Sequence, residues 1–259
     1  MYIYIYDSFV NQKNYDKILA RIETRITDLG LSGKIVRMGI MTSVHDVIDS
    51  EIKKGAYNIV AVGNNNILSQ ALNSIAKLSA SGHNKNITLG FIPIGQKDNE
   101  VAATLGISQE ENACNVLSAR RIKTLDLGKV NDNYFLTTAK ITTEGTKVEI
   151  DENYSIEINE DGEVMVINLP MIDSLAPENI SSNAEDGKLE LFINTKKIKK
   201  LLSRRPTHPN KSCFSFNTIS ISNSKHFLKL DECLKIETPV KISIAKEKIN
   251  LIVGKDRCF

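Results

Sequence analysis

A chain of 259 residues can bury a substantial core, as one large domain or two modest ones. Its 33 basic and 31 acidic residues leave a formal net charge of +2, so no global field recommends nucleic acid or a strongly acidic partner. Cys114, Cys213, Cys233 and Cys258 form no Cys-x-x-Cys pair and the histidines are equally scattered, which argues against a disulfide framework and against a structural zinc.

From the start, YIYIY (Tyr2 to Tyr6) alternates as a strand, and Tyr15, Ile18, Leu19, Ile22, Ile26 and Leu29 then recur at helical spacing. KIVRM is a second strand. Val44 to Lys54 follows as a helix with Val47, Ile48 and Ile52 facing inward, ended by Gly55. The apolar strand Asn58 to Val62 runs into Gly63, and Leu68, Leu72 and Ile75 share one face of the helix after it. ITLGFIPIG (Ile87 to Gly95) completes a run of strand-helix units that lasts to about residue 120. Such a run predicts a doubly wound, mostly parallel sheet with helices on both faces, whose ligand crevice lies at the carboxyl ends of the strands.

Beyond that point the rhythm changes to short strands: RIKTLDLGKV, YFLTTAKI, YSIEI, EVMVINL, KLELFI, FNTISI, HFLKL and VKISIA. Asn159-Glu160-Asp161-Gly162 and Glu185-Asp186-Gly187 have the chemistry of hairpin turns. The second half is therefore expected to be a β-sandwich or partial barrel, interrupted by one helix around Thr195 to Ser203. The predicted division is an α/β nucleotide-binding domain, 1–120, and a β-sandwich domain, 121–259.

Strand, glycine, helix is how many folds cradle phosphate, and Gly63 is followed by Asn64, Asn65 and Asn66. Read only as a local turn, the segment has Asn66 as helix cap, Asn99-Glu100 starts another helix, Asp126 is structural and Asp186 is a turn residue. In KKIKKLLSRRP, Lys196, Lys197, Lys199, Lys200, Arg204 and Arg205 surround Ile198, Leu201 and Leu202. That pattern is either a solvated face or a basic amphipathic helix for anionic headgroups, each cation near the surface adding about 1 kcal/mol. MYIYIYDS lacks a basic leader, and no stretch reaches the roughly 18 apolar residues of a spanning helix. The expected location is the cytoplasm, peripheral to a membrane where the basic stretch makes contact.

Taken in order, these segments resemble the diacylglycerol kinase catalytic-domain family of lipid kinases, relatives of the NAD kinases. VAVGNNNILSQALNSI lines up with the family's strand, its Gly-Gly-Asp-Gly-Thr loop and the next helix. LGFIPIGQKDNEVAATLGI is similar to its second motif, with Pro93, Gly95, Asn99, Ala102, Leu105 and Gly106 matching and one residue inserted before Asn99. RRIKTLDLGKVNDNYFLTTAKI, EDGKLELFI, RRPTHPN and LKLDECLKIETPVKISI follow, the last spanning the family's Asp-Gly-Glu.

The resemblance implies ATP and magnesium as cofactors, with nucleotide contacts at Gly63, Asn64, Asn65, Asn66, Ile67, Gly95 and Asn99. Asn65 stands where the loop aspartate is expected, and Asn65 and Asp186 are the metal-side candidates. Cys233 falls at the family's catalytic base, with Glu232 one residue early. Lys199, Lys200 and Arg204 become membrane-facing candidates; nucleic acid is not an expected partner, and a homodimer is left open. The implied activity is weak ATP-dependent phosphoryl transfer to a lipid hydroxyl. The alternative is an inactive pseudokinase that binds a nucleotide, a lipid or a protein.

Overall fold

In the computed structural model every side chain of β1 (Tyr2–Tyr6) is buried. Its Tyr-Ile alternation is therefore not the in-and-out pattern of a half-exposed strand but that of a strand covered on both faces, as in parallel sheets flanked by helices. Described here are residues 1–39, 41–82, 86–95, 99–158, 160–169, 184–195 and 210–259. They divide into one unit of Met1–Leu125 with Glu247–Phe259, and a second of Asp126–Lys246.

In the first unit α1 (Asp16–Asp28), β2 (Gly33–Arg37), α2 (Val44–Lys53), β3 (Asn58–Gly63), α3 (Asn65–Ala80), β4 (Thr88–Pro93), α4 (Glu100–Thr104) and α5 (Ala113–Ala119) follow β1. β1 pairs in parallel with β2 on one side and β3 on the other, and β3 pairs in parallel with β4. The chain's final strand adds the next parallel neighbour, with Asn250 opposite Thr88 and Leu251 opposite Leu89. β3 and β4 are buried throughout, whereas the edge strand β2 is mostly exposed.

The helices bury the stripes their periodicity dictates. α1 places Leu19, Ile22 and Ile26 inward. In α2 the buried residues are Val44, Ile48, Glu51 and Ile52, and Val47, expected among them, is only half-buried at the margin of the stripe. Glu51 is tolerated there because Lys34 and Lys54 donate to its carboxylate at 2.7 and 2.9 Å and hold its pKa below the usual range.

The second unit is built from β5 (Ile122–Val130, from Asp126 on), β6 (Asn133–Phe135), β7 (Thr138–Thr142), β8 (Lys147–Ile150), β9 (Tyr154–Glu157), β10 (Gly162–Ile167), β11 (Leu189–Thr195), β12 (Asn210–Phe216), β13 (Thr218–Ser222), β14 (Leu228–Leu230), β15 (Leu234–Ile236) and the start of β16 (Val240–Ile252). One antiparallel sheet runs β12-β11-β10-β7-β14-β15. Antiparallel β9, β8, β13 and β16 form the facing layer. Ile141, Val164, Val166, Leu191 and Leu230 from the first layer share a core with Val148, Ile150, Ile219, Ile221 and Ile242 from the second. This is a β-sandwich. The helix expected around Thr195 to Ser203 lies beyond β11 in residues 196–209, outside the described residues.

Gly128 shows how tightly this unit is packed. It lies opposite Phe135, and a Cβ on it would stand 2.0 Å from Phe135 Cζ. Overpacking of this kind costs about 1–3 kcal/mol, so Gly128→Ala should lower the urea midpoint accordingly. An unchanged midpoint would show that the ring has room to move.

Candidate functional site

The chain leaves β1 toward β2 on one side of the sheet and reaches β3 on the other. That reversal places the ligand crevice at the carboxyl ends of β1 and β3. Asp7 continues the pairing there, donating its N–H to Val62 O at 2.9 Å, and Ile94 N–H donates to Gly63 O at 2.7 Å after β4. Gly63 and Gly95, both expected in the site, meet at this point.

Gly63 has φ +149°, and a Cβ on it would lie 2.8 Å from Asp7 Cβ and 3.3 Å from Phe9 Cε1. Gly95 has φ +85°, and its Cβ would lie 2.9 Å from Phe9 Cε2 and 3.2 Å from Phe9 Cζ. Both glycines are thus required, since an L side chain would be strained at that φ and would also strike Asp7 at Gly63 and Phe9 at Gly95. The Phe9 ring sits on the pair, with Tyr15 edge-on at 5.3 Å and the Phe9 N–H donating to Asp7 Oδ1 at 3.3 Å.

Asn64, not Asn66, caps α3: it follows Gly63 in an extended conformation, and its Oδ1 accepts from Asn66 N–H at 2.9 Å. Asn66 is already inside the helix, where its side chain is exposed and caps nothing. Ile67 is a buried residue of the same helix. Asn65 is buried, and its Oδ1 accepts from Asn99 Nδ2 at 2.6 Å. Asn99 in turn caps α4, its Oδ1 accepting from Ala102 N–H at 2.9 Å. The structure therefore brings Gly63, Asn65, Gly95 and Asn99 together.

The candidates in the β-sandwich sit on the turn between β14 and β15. Asp231 and Glu232 both have left-handed backbones, φ 45° and 61°. Glu232 stands where the resembling motif has glycine, and it adopts a conformation that favours glycine. The Asp231 carboxylate is buried and accepts four hydrogen bonds, from Leu136 N at 2.8 Å, Thr137 N at 2.7 Å, Thr137 Oγ1 at 2.8 Å and Thr138 N at 3.3 Å. Burial pushes its pKa above the usual carboxylate range, against the pull of these donors.

Glu232 points elsewhere. Partial burial pushes its pKa up, but Lys140 at 2.7 Å and Lys229 at 2.6 Å outweigh that and hold it below the ordinary value. A general base works best with a pKa near the working pH, so the shift runs in the wrong direction for catalysis. Glu232 lines an open cleft of about 450 Å³ with Lys140, His226, Phe227, Lys229 and Lys235. The N–H of Cys233 donates to Leu230 O at 2.9 Å, and its Sγ lies 3.6 Å from the same oxygen.

Asp126 is structural: its buried carboxylate accepts from Gly187 N–H at 2.7 Å and fixes the 185–187 turn, while Asp186 Oδ1 accepts from Lys188 N–H at 3.0 Å. No three His, Cys, Asp or Glu side chains among the described residues converge as a metal-binding group. Among the described residues, those at this loop do not fit a magnesium-bound triphosphate. A neutral amide tied to Asn99 replaces the expected acid, and Phe9 and Asp7 fill the glycine cradle. Lys199, Lys200 and Arg204 lie outside the described residues. Among the described residues no helix is long and apolar enough to cross a membrane.

Sequence reasoning missed Asp231, Asp7 and Phe9. Asp231 is the first residue of the Asp-Gly-Glu-like LDEC and was open to inference. Nothing local marks Phe9, whose role arises only through contact.

The Glu232 contacts carry a pH signature. Because the folded pKa lies below the ordinary 4.5, the stabilisation is present above that value and is lost as pH falls through the folded one. The melting-temperature gap between wild type and Glu232→Gln is expected at about pH 6 and should shrink as pH falls progressively below 4.5. A gap unchanged over that range would assign the effect to packing.

Residues 2–130 match the diacylglycerol kinase catalytic domain. Among curated proteins none matches the chain in sequence. Two solved structures from Bacillus anthracis str. Sterne, a diacylglycerol kinase and a putative diacylglycerol kinase, superpose with TM-scores of 0.73 and 0.74 at 18% and 17% identity; both alignments cover 98% of this chain and 97% of theirs. An NAD kinase from Archaeoglobus fulgidus in complex with ATP superposes at TM-score 0.55 and 10% identity, over 99% of this chain and 95% of the other. With its N-terminal half matching in sequence, the chain belongs to the diacylglycerol kinase catalytic-domain family, and over its whole length it shares the fold of the diacylglycerol kinase and NAD kinase structures.

Proposed function

We propose that this chain is a non-catalytic member of its family, a pseudokinase that acts as a binding protein. The observation that carries this reading is the amide pair Asn65–Asn99, which stands where the family is expected to place an acid beside the phosphates and their metal. An amide oxygen already accepting a hydrogen bond is a neutral and partly occupied ligand, and magnesium prefers charged oxygens. The base position adds to it. Cys233 has no carboxylate, and Glu232 beside it is held by two lysines. A positioned base contributes about 10²–10⁴ in rate, so its loss alone removes most of a kinase's turnover. The crevice at the carboxyl ends of β1 and β3 supports a ligand of the nucleotide class, as does the ATP in the Archaeoglobus complex.

The test follows radiolabelled phosphate from ATP into diacylglycerol, the acceptor for which the Bacillus proteins are named. Wild type should transfer no label above background. Asn65→Asp keeps an acceptor for the Asn99 amide and should fold normally; combined with Cys233→Glu and with Phe9→Ala, which clears the ring from the glycines, it should give more transfer than any of the three changes alone. Robust turnover by wild type, abolished by Glu232→Gln and indifferent to Cys233→Ala, would overturn the proposal and assign catalysis to Glu232.

A further inference from the structure

In phosphate-binding loops the missing side chain of glycine leaves a surface on which a phosphate can rest against backbone N–H groups. Here one ring lies against both glycines. Phe9 Cε1 faces the vacant Cβ position of Gly63 at 3.3 Å, and its Cε2 and Cζ face that of Gly95 at 2.9 and 3.2 Å. Asp7 Cβ at 2.8 Å and Ile67 Cγ2 at 3.1 Å close the other sides of Gly63. One donor is engaged as well, since Asn66 N–H at the start of α3 is already given to Asn64 Oδ1 at 2.9 Å.

We infer that Phe9 determines what this crevice admits: it fills the phosphate position at Gly63 and Gly95 and excludes the phosphate chain of a nucleoside triphosphate. The inference rests on reading the crevice as a nucleotide-class site. Two features make the exclusion specific to phosphate. Phe9 presents an apolar ring edge where phosphate needs donors, and Asp7 places a carboxylate beside Gly63, where a second anion is repelled.

The plug is also held from several sides. The Phe9 N–H donates to Asp7 Oδ1 at 3.3 Å, Tyr15 packs against the ring, and the short helical turn Ser8–Asn11 is anchored by Asn11 Nδ2 donating to Met38 O at 3.1 Å. Phe9 itself is only half-buried. Removing its ring therefore opens the shelf from the solvent side and leaves the sheet intact.

Calorimetry with ATP, inorganic tripolyphosphate and adenosine tests this on wild type and Phe9→Ala. Phe9→Ala should bind ATP and tripolyphosphate about tenfold or more tightly than wild type, with adenosine unchanged. Equal affinity of the two proteins for ATP and tripolyphosphate would overturn the inference, as would a gain for adenosine as large as that for ATP. If Phe9→Ala does not fold, Phe9→Leu removes the ring edge over Gly95, keeps an apolar anchor and is read by the same comparison. Label transfer to diacylglycerol by Phe9→Ala would uphold the plug and overturn the non-catalytic reading. ATP binding by wild type that is indifferent to Phe9, without transfer, would do the reverse.

Discussion

At the carboxyl ends of β1, β3 and β4 three departing segments approach so closely that neither Gly63 nor Gly95 has room for a Cβ, and the surrounding geometry follows from that approach. Gly63 sets the point at which α3 begins, because Asn64 directly after it is the residue left extended and able to cap. The cap places Asn65 inward on the first turn, where it meets Asn99, and Asn99 caps α4. From Gly63 the contacts thus run through two helix starts and the amide contact between them.

The β-sandwich has a comparable organising group in Asp231. Its carboxylate gathers the N–H groups of Leu136, Thr137 and Thr138 and so fixes the bend between β6 and β7. Leaving such donors unpaired in a buried place would cost about 1–3 kcal/mol each. Glu232 follows in the left-handed region, which disfavours residues with a Cβ by about 1–2 kcal/mol. Lys140 and Lys229 supply a compensating contact: they sit directly opposite each other on adjacent strands, and the Glu232 carboxylate separates their charges. Glutamate in a glycine conformation has in this way become part of the sheet's electrostatics.

The order of elements was legible because it is written in apolar periodicity, and periodicity records which face a residue turns to the core. What it does not record is whether the other face is covered, and β1 shows the difference: Tyr and Ile alternate, yet both faces are buried. Caps were less legible. Three consecutive asparagines all satisfy the preference for a capping residue, and only the backbone conformation after Gly63 selects Asn64. The Asn65–Asn99 contact joins residues 34 apart in sequence and has no local pattern. Resemblance placed both residues in one site without saying that they bond to each other. Phe9 was invisible for a related reason, since the reading of Gly63 and Gly95 as a phosphate cradle assumed that nothing else occupied the space the missing side chains leave.

Charge and volume are separate obstacles in this crevice. Asparagine has nearly the shape of aspartate and keeps the acceptor that Asn99 requires, so the loop can hold its form while lacking the negative group a metal would seek. That preserves the frame, because the sheet and its helices are held by buried apolar side chains and backbone pairing to which the charge at position 65 contributes nothing. Phe9 acts through volume and touches the glycines rather than the amides. Restoring a carboxylate at position 65 would leave the ring in place, and removing the ring would leave the amide pair in place. The two effects stand on different elements, the first turn of α3 and the exit from β1. The crevice is therefore closed to the phosphate chain by shape even where its charge is restored, and a change at one position is not sufficient to recover a working phosphate site.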